Sequence, residues 1–248
     1  MTNAITVNRY GDALAYSGSL VPTVDGVSQM LQALLNRSDL PESVRSEAML
    51  ILQGGVPNPS VPLTPEIEAR LVGMQERADK RVRSVDAKVK QHATNLLQTA
   101  MQAGTATKRV MWLQRAADVI GRGYAGVSAC KSGCSHCCLI PVKISQTEAQ
   151  VIGKAIGRVP HPPAQHGEPP APGDWTPCTF LNNGKCSIYE WRPAVCRSHL
   201  NIDQDDLLCR PLPGARVPVP YLDVTPHVIA SVALTGNVHW ADLRQWFA

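Results

Sequence analysis

Aromatic residues are scarce in this 248-residue chain: two Phe, five Tyr and five Trp. That weakens any function built on stacked rings, such as a platform for single-stranded nucleic acid. Charge of one sign is also lacking, with 24 Lys and Arg against 20 Asp and Glu, a formal balance of +4. Such a balance gives no strong field for nucleic acid or an anionic surface. No apolar run approaches the roughly 18 residues of a membrane helix. Residues Met1 to Thr6 hold no basic stretch followed by an apolar one, so they do not read as a secretory signal. The expected compartment is the cytoplasm, which is reducing. Cysteine is absent before Cys130 and after Cys209, and all eight cysteines lie between.

What is present is 44% apolar and 18% charged, a globular composition. It excludes collagen-like, wholly disordered and coiled-coil-only chains, and the length suits one or two domains. The first roughly 20 residues show no period and read as a loose arm. Val24, Val27, Leu31 and Leu34 have helical spacing. Asp39-Leu40-Pro41-Glu42 opens a second helix through Leu52, which Gly54-Gly55 ends, and residues 56–65 read as an extended connector. Thr64-Pro65-Glu66 is a further helix start. From Ile67 the apolar positions Leu71, Met74, Ala78, Val82, Val85, Val89, Ala93, Leu96 and Ala100 follow at a mean spacing of about 3.7, which predicts one long helix to near Gly104. Its mixed charges read as a solvated face. A helix from Thr107 to Arg122 follows, and Gly121, Gly123 and Gly126 are expected to break the chain.

Ser145-Gln146-Thr147-Glu148 has the form of a capping box and opens a helix to about Ile156. Residues 160–177 are proline-rich and read as a loop. Asn182-Asn183-Gly184 signals a turn. Pro226 to Leu234 and His239 to Phe247 read as short helices. The fold class is therefore mainly α. Residues 1–125 form a helical region of unread role, and residues 126–248 a compact, irregular, cysteine-rich metal-binding domain.

The first cysteine cluster holds Cys130, Cys134, Cys137 and Cys138; the second holds Cys178, Cys186 and Cys196, and Cys209 follows. A disulfide set suits the even count but not a reducing compartment, nor the adjacent pair Cys137-Cys138, whose closure is strained. Thiolates converging in a segment interrupted by Gly and Pro suit metal binding. Eight thiolates are too many for one mononuclear zinc site. Two tetrahedral sites, one polynuclear centre, or one site with spare thiols all account for them. Adjacent residues point apart, so Cys137 and Cys138 need not serve the same metal. The run Cys130-x3-Cys134-x2-Cys137 coincides with the spacing of radical S-adenosylmethionine enzymes. Its context differs, because helix precedes it and no alternation of strands and helices follows.

Cys134-x2-Cys137-Cys138, Cys178-x-Phe180-Leu181, Gly184-Lys185-Cys186-Ser187-Ile188-Tyr189 and Arg192-Pro193-x2-Cys196-Arg197 together resemble the CxxCxxCC family, the YkgJ type. Its members are described as zinc- or iron-chelating cysteine-cluster proteins. The resemblance covers roughly residues 128–210, and residues 1–125 lie outside it. Cys130 matches the family's first cysteine, with three residues before Cys134 where two are common; Cys209 matches a late one. The resemblance thus implies a metal held by Cys130, Cys134, Cys137, Cys138, Cys178, Cys186, Cys196 and Cys209. A flagellin lysine N-methylase carries a related cluster, which opens a protein-modifying enzyme as an alternative. A third reading is an adaptor with a purely structural zinc site, whose N-terminal helices meet a protein partner. An iron–sulfur cluster is preferred to zinc, because adjacent cysteines suit a polynuclear centre.

Arg192 and Arg197 offset thiolate charge, hold an anion, or form ordinary ion pairs. Tyr189 and Trp191 are expected to pack under the loop. His136 and His199 are secondary ligand candidates, and His161 and His166 read as solvated.

Overall fold

A computed structural model describes residues 6–7, 13–14, 62–162, 176–212, 217–235 and 239–248. The helices expected over 24–35 and 39–52, residues 56–61 of the 56–65 connector, and most of the 160–177 loop with His166, lie outside the described residues. In the N-terminal arm, where the sequence shows no period, β1 (Thr6–Val7) and β2 (Ala13–Leu14) pair antiparallel with Thr6 opposite Leu14.

The stripe beginning at Ile67 is divided among three helices, α1 (Pro65–Leu71), α2 (Met74–Arg83) and α3 (Ala87–Gln102), rather than forming one. Thr64 starts α1 where expected, its hydroxyl accepting from the Ile67 N–H at 3.4 Å. Gly73 then takes φ 65°, a left-handed turn that glycine adopts without steric cost and that ends the helical run. Asp86 caps α3 by accepting from the Lys88 N–H at 2.9 Å, with its own backbone extended. The apolar face survives both breaks: Ile67, Met74, Ala78, Val82, Ala93 and Ala100 are all buried. Periodicity reports which side faces the core, and both interruptions keep that phase.

α4 (Ala106–Gly123) follows, capped by Thr105; it runs through Gly121 and ends at Gly123, one residue beyond the expected end at Arg122. Those glycines serve close approach. A Cβ on Gly121 would lie 2.6 Å from the Arg197 carbonyl oxygen, and one on Gly123 would collide with the Val89 side chain. α4 packs on α3, and Val110, Leu113, Ala116, Ala117 and Ile120 are its buried apolar positions, with Gln114 buried among them.

Beyond α4 the chain is irregular. β3 (Lys143–Ser145) leads into α5 (Gln146–Ile156), with Ser145 as the expected cap. The hairpin β4 (Leu181–Asn182) and β5 (Lys185–Cys186) turns at Asn183-Gly184, both at positive φ. A short α6 (Ala194–Ser198) packs on α4, and α7 (Thr225–Thr235) packs on α3 and α4. The chain ends in β6 (Trp240–Asp242) and α8 (Leu243–Trp246). The helix expected over 239–247 is thus half strand. Ala241 pairs with Ile144, and Asp242 caps α8 in a capping box with Gln245. This closes Trp246 and Phe247, both fully buried, over Ile144, Ile152 and Phe180.

The described residues are mainly helical, and none of their helices is long and apolar enough to cross a membrane. Leu200, Ile202 and Leu222, from the cysteine-bearing half, complete one apolar cluster with Ala78, Val82, Ala93, Ile120 and Tyr124 of the helices. The two halves therefore share a core.

Candidate metal centre

All eight cysteines are free thiols; Cys137 is exposed and the other seven are half-buried. Cys130 follows the end of α4, where its N–H donates to Ser128 Oγ at 3.0 Å and the Ser128 hydroxyl donates to the Asn201 carbonyl at 3.1 Å. Gly133, at φ 86°, turns the chain toward Cys134. Cys137 and Cys138 lie on a 3-10 turn, His136–Leu139. The Cys178 N–H donates to the Cys138 carbonyl at 2.7 Å, which sets the second cluster beside the first. Cys186 ends β5 opposite Leu181, and both Cys178 and Cys186 pack against the core around Phe180 and Ile188. Cys196 sits within α6, and Cys209 ends a 3-10 turn, Leu207–Cys209.

Asn201 was not singled out in the sequence, and it is the most connected polar group here. It is 1% exposed. Its backbone N–H donates to Cys130 Sγ at 3.4 Å and its Nδ2 donates to Cys209 Sγ at 3.2 Å. Nδ2 also reaches the Asp205 carbonyl at 3.0 Å, and Oδ1 accepts from the Asp203 N–H at 2.8 Å. N–H groups aimed at sulfur are the outer contacts that thiolate ligands take. Tyr221, also unread in the sequence, brings its hydroxyl to 3.9 Å from Cys209 Sγ. Neither residue has a spacing signal, because each reaches sulfur from a separate strand of loop.

The thiols are unlike one another. A hydrogen bond from Cys137 lowers the Cys138 thiol to about 7 and raises that of Cys137, so Cys138 ionises first. Burial pushes Cys178 up to about 11 and Cys209 up to about 12, and it raises Cys134, Cys186 and Cys196 as well. The negative charge of neighbouring thiolates adds to each of these shifts. Thiols so placed oppose ionising together unless a cation compensates them.

The two arginines separate in role. Arg197 is buried; it pairs with Asp118 of α4 at 2.7 Å and donates to the Arg192 and Glu190 carbonyls at 2.8 and 2.7 Å, so it clamps the α6 turn to α4. Arg192 lies over the Tyr189 ring at 3.8 Å, and its charge lowers the Cys186 thiol against the effect of burial. Tyr189 and Trp191 do not pack under the loop as expected; they are 57% and 51% exposed, because Ile188 and Pro193 take the buried positions around them.

His136 Nε2 lies 2.9 Å from Asp206 Oδ2, which holds the Asp206 carboxyl at about 2. His199 is buried with no hydrogen-bond partner on either ring nitrogen, and it stacks on Tyr221 at 4.0 Å. His161 is exposed, as expected. Glu148, expected as the return half of a capping box, instead crosses the core, where its Oε1 accepts from Gln114 Nε2 at 3.2 Å and from the Ala194 N–H of α6 at 2.8 Å.

Among the described residues no three His, Cys, Asp or Glu side chains close on a single point as a metal ion requires. The donor chemistry nonetheless fits zinc or iron: reduced thiols in neighbouring groups, two of them already taking N–H contacts. Residues 129–211 match the family model CxxCxxCC, described as a "putative zinc- or iron-chelating domain". No curated protein and no solved structure matches the chain.

Proposed function

We propose that this chain, whose residues 129–211 match the CxxCxxCC family model, binds iron as an iron–sulfur centre through Cys130, Cys134, Cys137, Cys138, Cys178, Cys186, Cys196 and Cys209. The observation that carries the reading is Asn201, a buried residue whose backbone N–H is directed at the Cys130 sulfur and whose side-chain Nδ2 is directed at the Cys209 sulfur. Such contacts stabilise the thiolate form and set the potential of a bound cluster. Arg192 beside Cys186 adds positive charge on the other side of the group. Structural zinc is the second reading. It is favoured by the apolar core that the helices share with Leu200, Ile202 and Leu222, which a metal tying the loops would hold in register.

Anaerobic purification followed by iron, zinc and acid-labile sulfide analysis tests this. Iron with sulfide and broad visible absorption supports the cluster. A colourless protein with stoichiometric zinc supports the second reading, and a chain that retains neither metal overturns both. Replacing Cys134, Cys137, Cys186 or Cys196 by Ser should lower the metal bound per chain, and full occupancy in all four variants would remove them from the ligand set.

A further inference from the structure

We propose that the corner where α2, α3 and α4 meet binds the phosphate backbone of a nucleic-acid duplex through Lys80, Arg83, Lys88, Lys90 and Arg122. The proposal is independent of the metal-binding reading above and concerns a face built by the helices alone.

The overall balance of +4 conceals an uneven distribution. Residues 77–122 carry ten Lys and Arg against three Asp and no Glu, whereas the rest of the chain carries 14 against 17. On one unbroken helix the cations of 77–90 would form a solvated stripe. The break changes that, because α2 ends and α3 begins within three residues. The last turn of α2, with Lys80 and Arg83, thereby adjoins the first of α3, with Lys88 and Lys90. α4 brings Arg122 to the same corner, since the neighbouring Gly123 lies against Val89 so closely that a Cβ would collide with it. The corner is fixed from within. Arg81 Nε donates to the Val127 carbonyl at 2.8 Å, and Val85, Val89 and Val127 pack on the cluster around Ala78, Val82 and Ile120. Lys80, Arg83, Lys88 and Arg122 are exposed, and Lys90 is half-buried.

The three aspartates of this region are engaged elsewhere. Asp79 accepts from Gln75, Asp86 caps α3, and Asp118 pairs with Arg197. None of the five cations forms an ion pair with a described residue. Lys80, Arg83 and Arg122 stand in the last turns of their helices, where the helix dipole favours a cation and folding alone accounts for them. Lys88 and Lys90 have no such account. They lie within the first four residues of α3, at the positive end of its dipole, with no acidic residue in that turn. An anion docked from outside turns that repulsion into attraction.

The surroundings favour a duplex. The exposed large apolar side chains of the described residues all lie away from this corner. A membrane surface is held by an apolar anchor beside the cations, and a single strand by aromatic rings on which its bases stack. The corner offers neither. Duplex phosphates ask only for cations spaced on a rigid face.

Fluorescence anisotropy of the full, anaerobically purified chain tests this. The probe is a fluorescein-labelled DNA duplex of roughly 20 base pairs, with salt raised from about 50 to 200 mM. Saturable binding is expected, its log affinity falling linearly with log salt at a slope of about −0.9 per phosphate engaged. The same sequence as an RNA duplex shows which of the two is preferred. Lys88→Gln with Lys90→Gln should weaken binding at least about tenfold and make the slope shallower by about 2. The thermal midpoint of that variant should be unchanged or raised, so a folding defect cannot imitate the loss. Lys108→Gln, about 20 Å away along α4, should change little. Absence of saturable duplex binding, tighter binding to the single strand, or binding indifferent to the Lys88 and Lys90 pair would overturn the proposal. So would binding to phosphatidylserine-containing vesicles in place of the duplex, which would make the corner a membrane contact.

Discussion

His199 is buried without a hydrogen-bond partner, and burial holds its imidazole at about 4, well below the usual 6.5. His227 on α7 is held at about 4 for the same reason. A base whose folded value is depressed binds its proton in the unfolded chain first, so stability is whole above pH 6.5 and falls as pH drops from 6.5 toward 4. Between pH 7 and pH 5, His199 alone should account for a loss of about 2 kcal/mol. His199→Phe, matched for metal content, should remove roughly half of the pH dependence of the urea midpoint; an unchanged slope would show that the ring is solvated in the native state. Glu148 makes a second test. Glu148→Gln keeps the Oε1 acceptor for Gln114 and Ala194 and should cost under about 1 kcal/mol, whereas Glu148→Ala leaves both donors unpaired and should cost about 3 kcal/mol. Equal midpoints for the two variants would show that the acceptor is unimportant.

At the scale of elements, α4 is the member to which the cysteine-bearing loops are fastened. Its Gly121 lies directly under the Arg197 carbonyl, and its Asp118 pairs with the Arg197 guanidinium. Gly121→Ala should therefore push α6 and Cys196 away from α4 and destabilise by about 1–3 kcal/mol, despite alanine's better helix propensity. A stabilised variant in thermal melts would mean that the two elements do not touch so closely. α1 fastens the other end. Arg70 reaches Asp203 at 2.9 Å and forks onto Asp205 at 2.7 and 2.9 Å, in the loop before Cys209. Arg70→Ala leaves Asp203, 3% exposed, without that partner and frees the loop, so metal content should fall although no thiol has changed. Full metal content in that variant would make the clamp dispensable.

For the whole molecule, the question is whether metal removal unfolds half the chain or all of it. The sequence places periodic apolar faces only in the helices, which suggests that they stand alone. The structure puts Leu200, Ile202 and Leu222 into the cluster that buries Ala78, Val82 and Ala93. Withdrawal of those three side chains would expose the inner face of α2 and α3. Chelation under reducing conditions should therefore raise amide exchange in α2 and α3 together with residues 128–210, at a rate set by loss of the shared core. Protection that persists in α2 and α3 while the cysteine segments exchange freely would show two independently stable units.

The sequence by itself determined the starts of α1 and α5, through Thr64 and Ser145, the turn at Asn183-Gly184, the buried phase of the stripe from Ile67 to Ala100, and the density of thiols between Cys130 and Cys209. These depend on neighbours within one turn of chain, or on residue type alone. Even there, a spacing that stays in phase concealed the breaks at Gly73 and Asp86, since periodicity averages over a residue that bends the backbone without shifting the face. The tertiary structure decided what Glu148 accepts, why Gly121 has no side chain, why Trp191 is exposed, and which sulfurs Asn201 joins. Each is set by where distant segments cross. Asn201 lies 71 residues from Cys130 along the chain and Gln114 lies 34 from Glu148, and no local pattern encodes such a meeting.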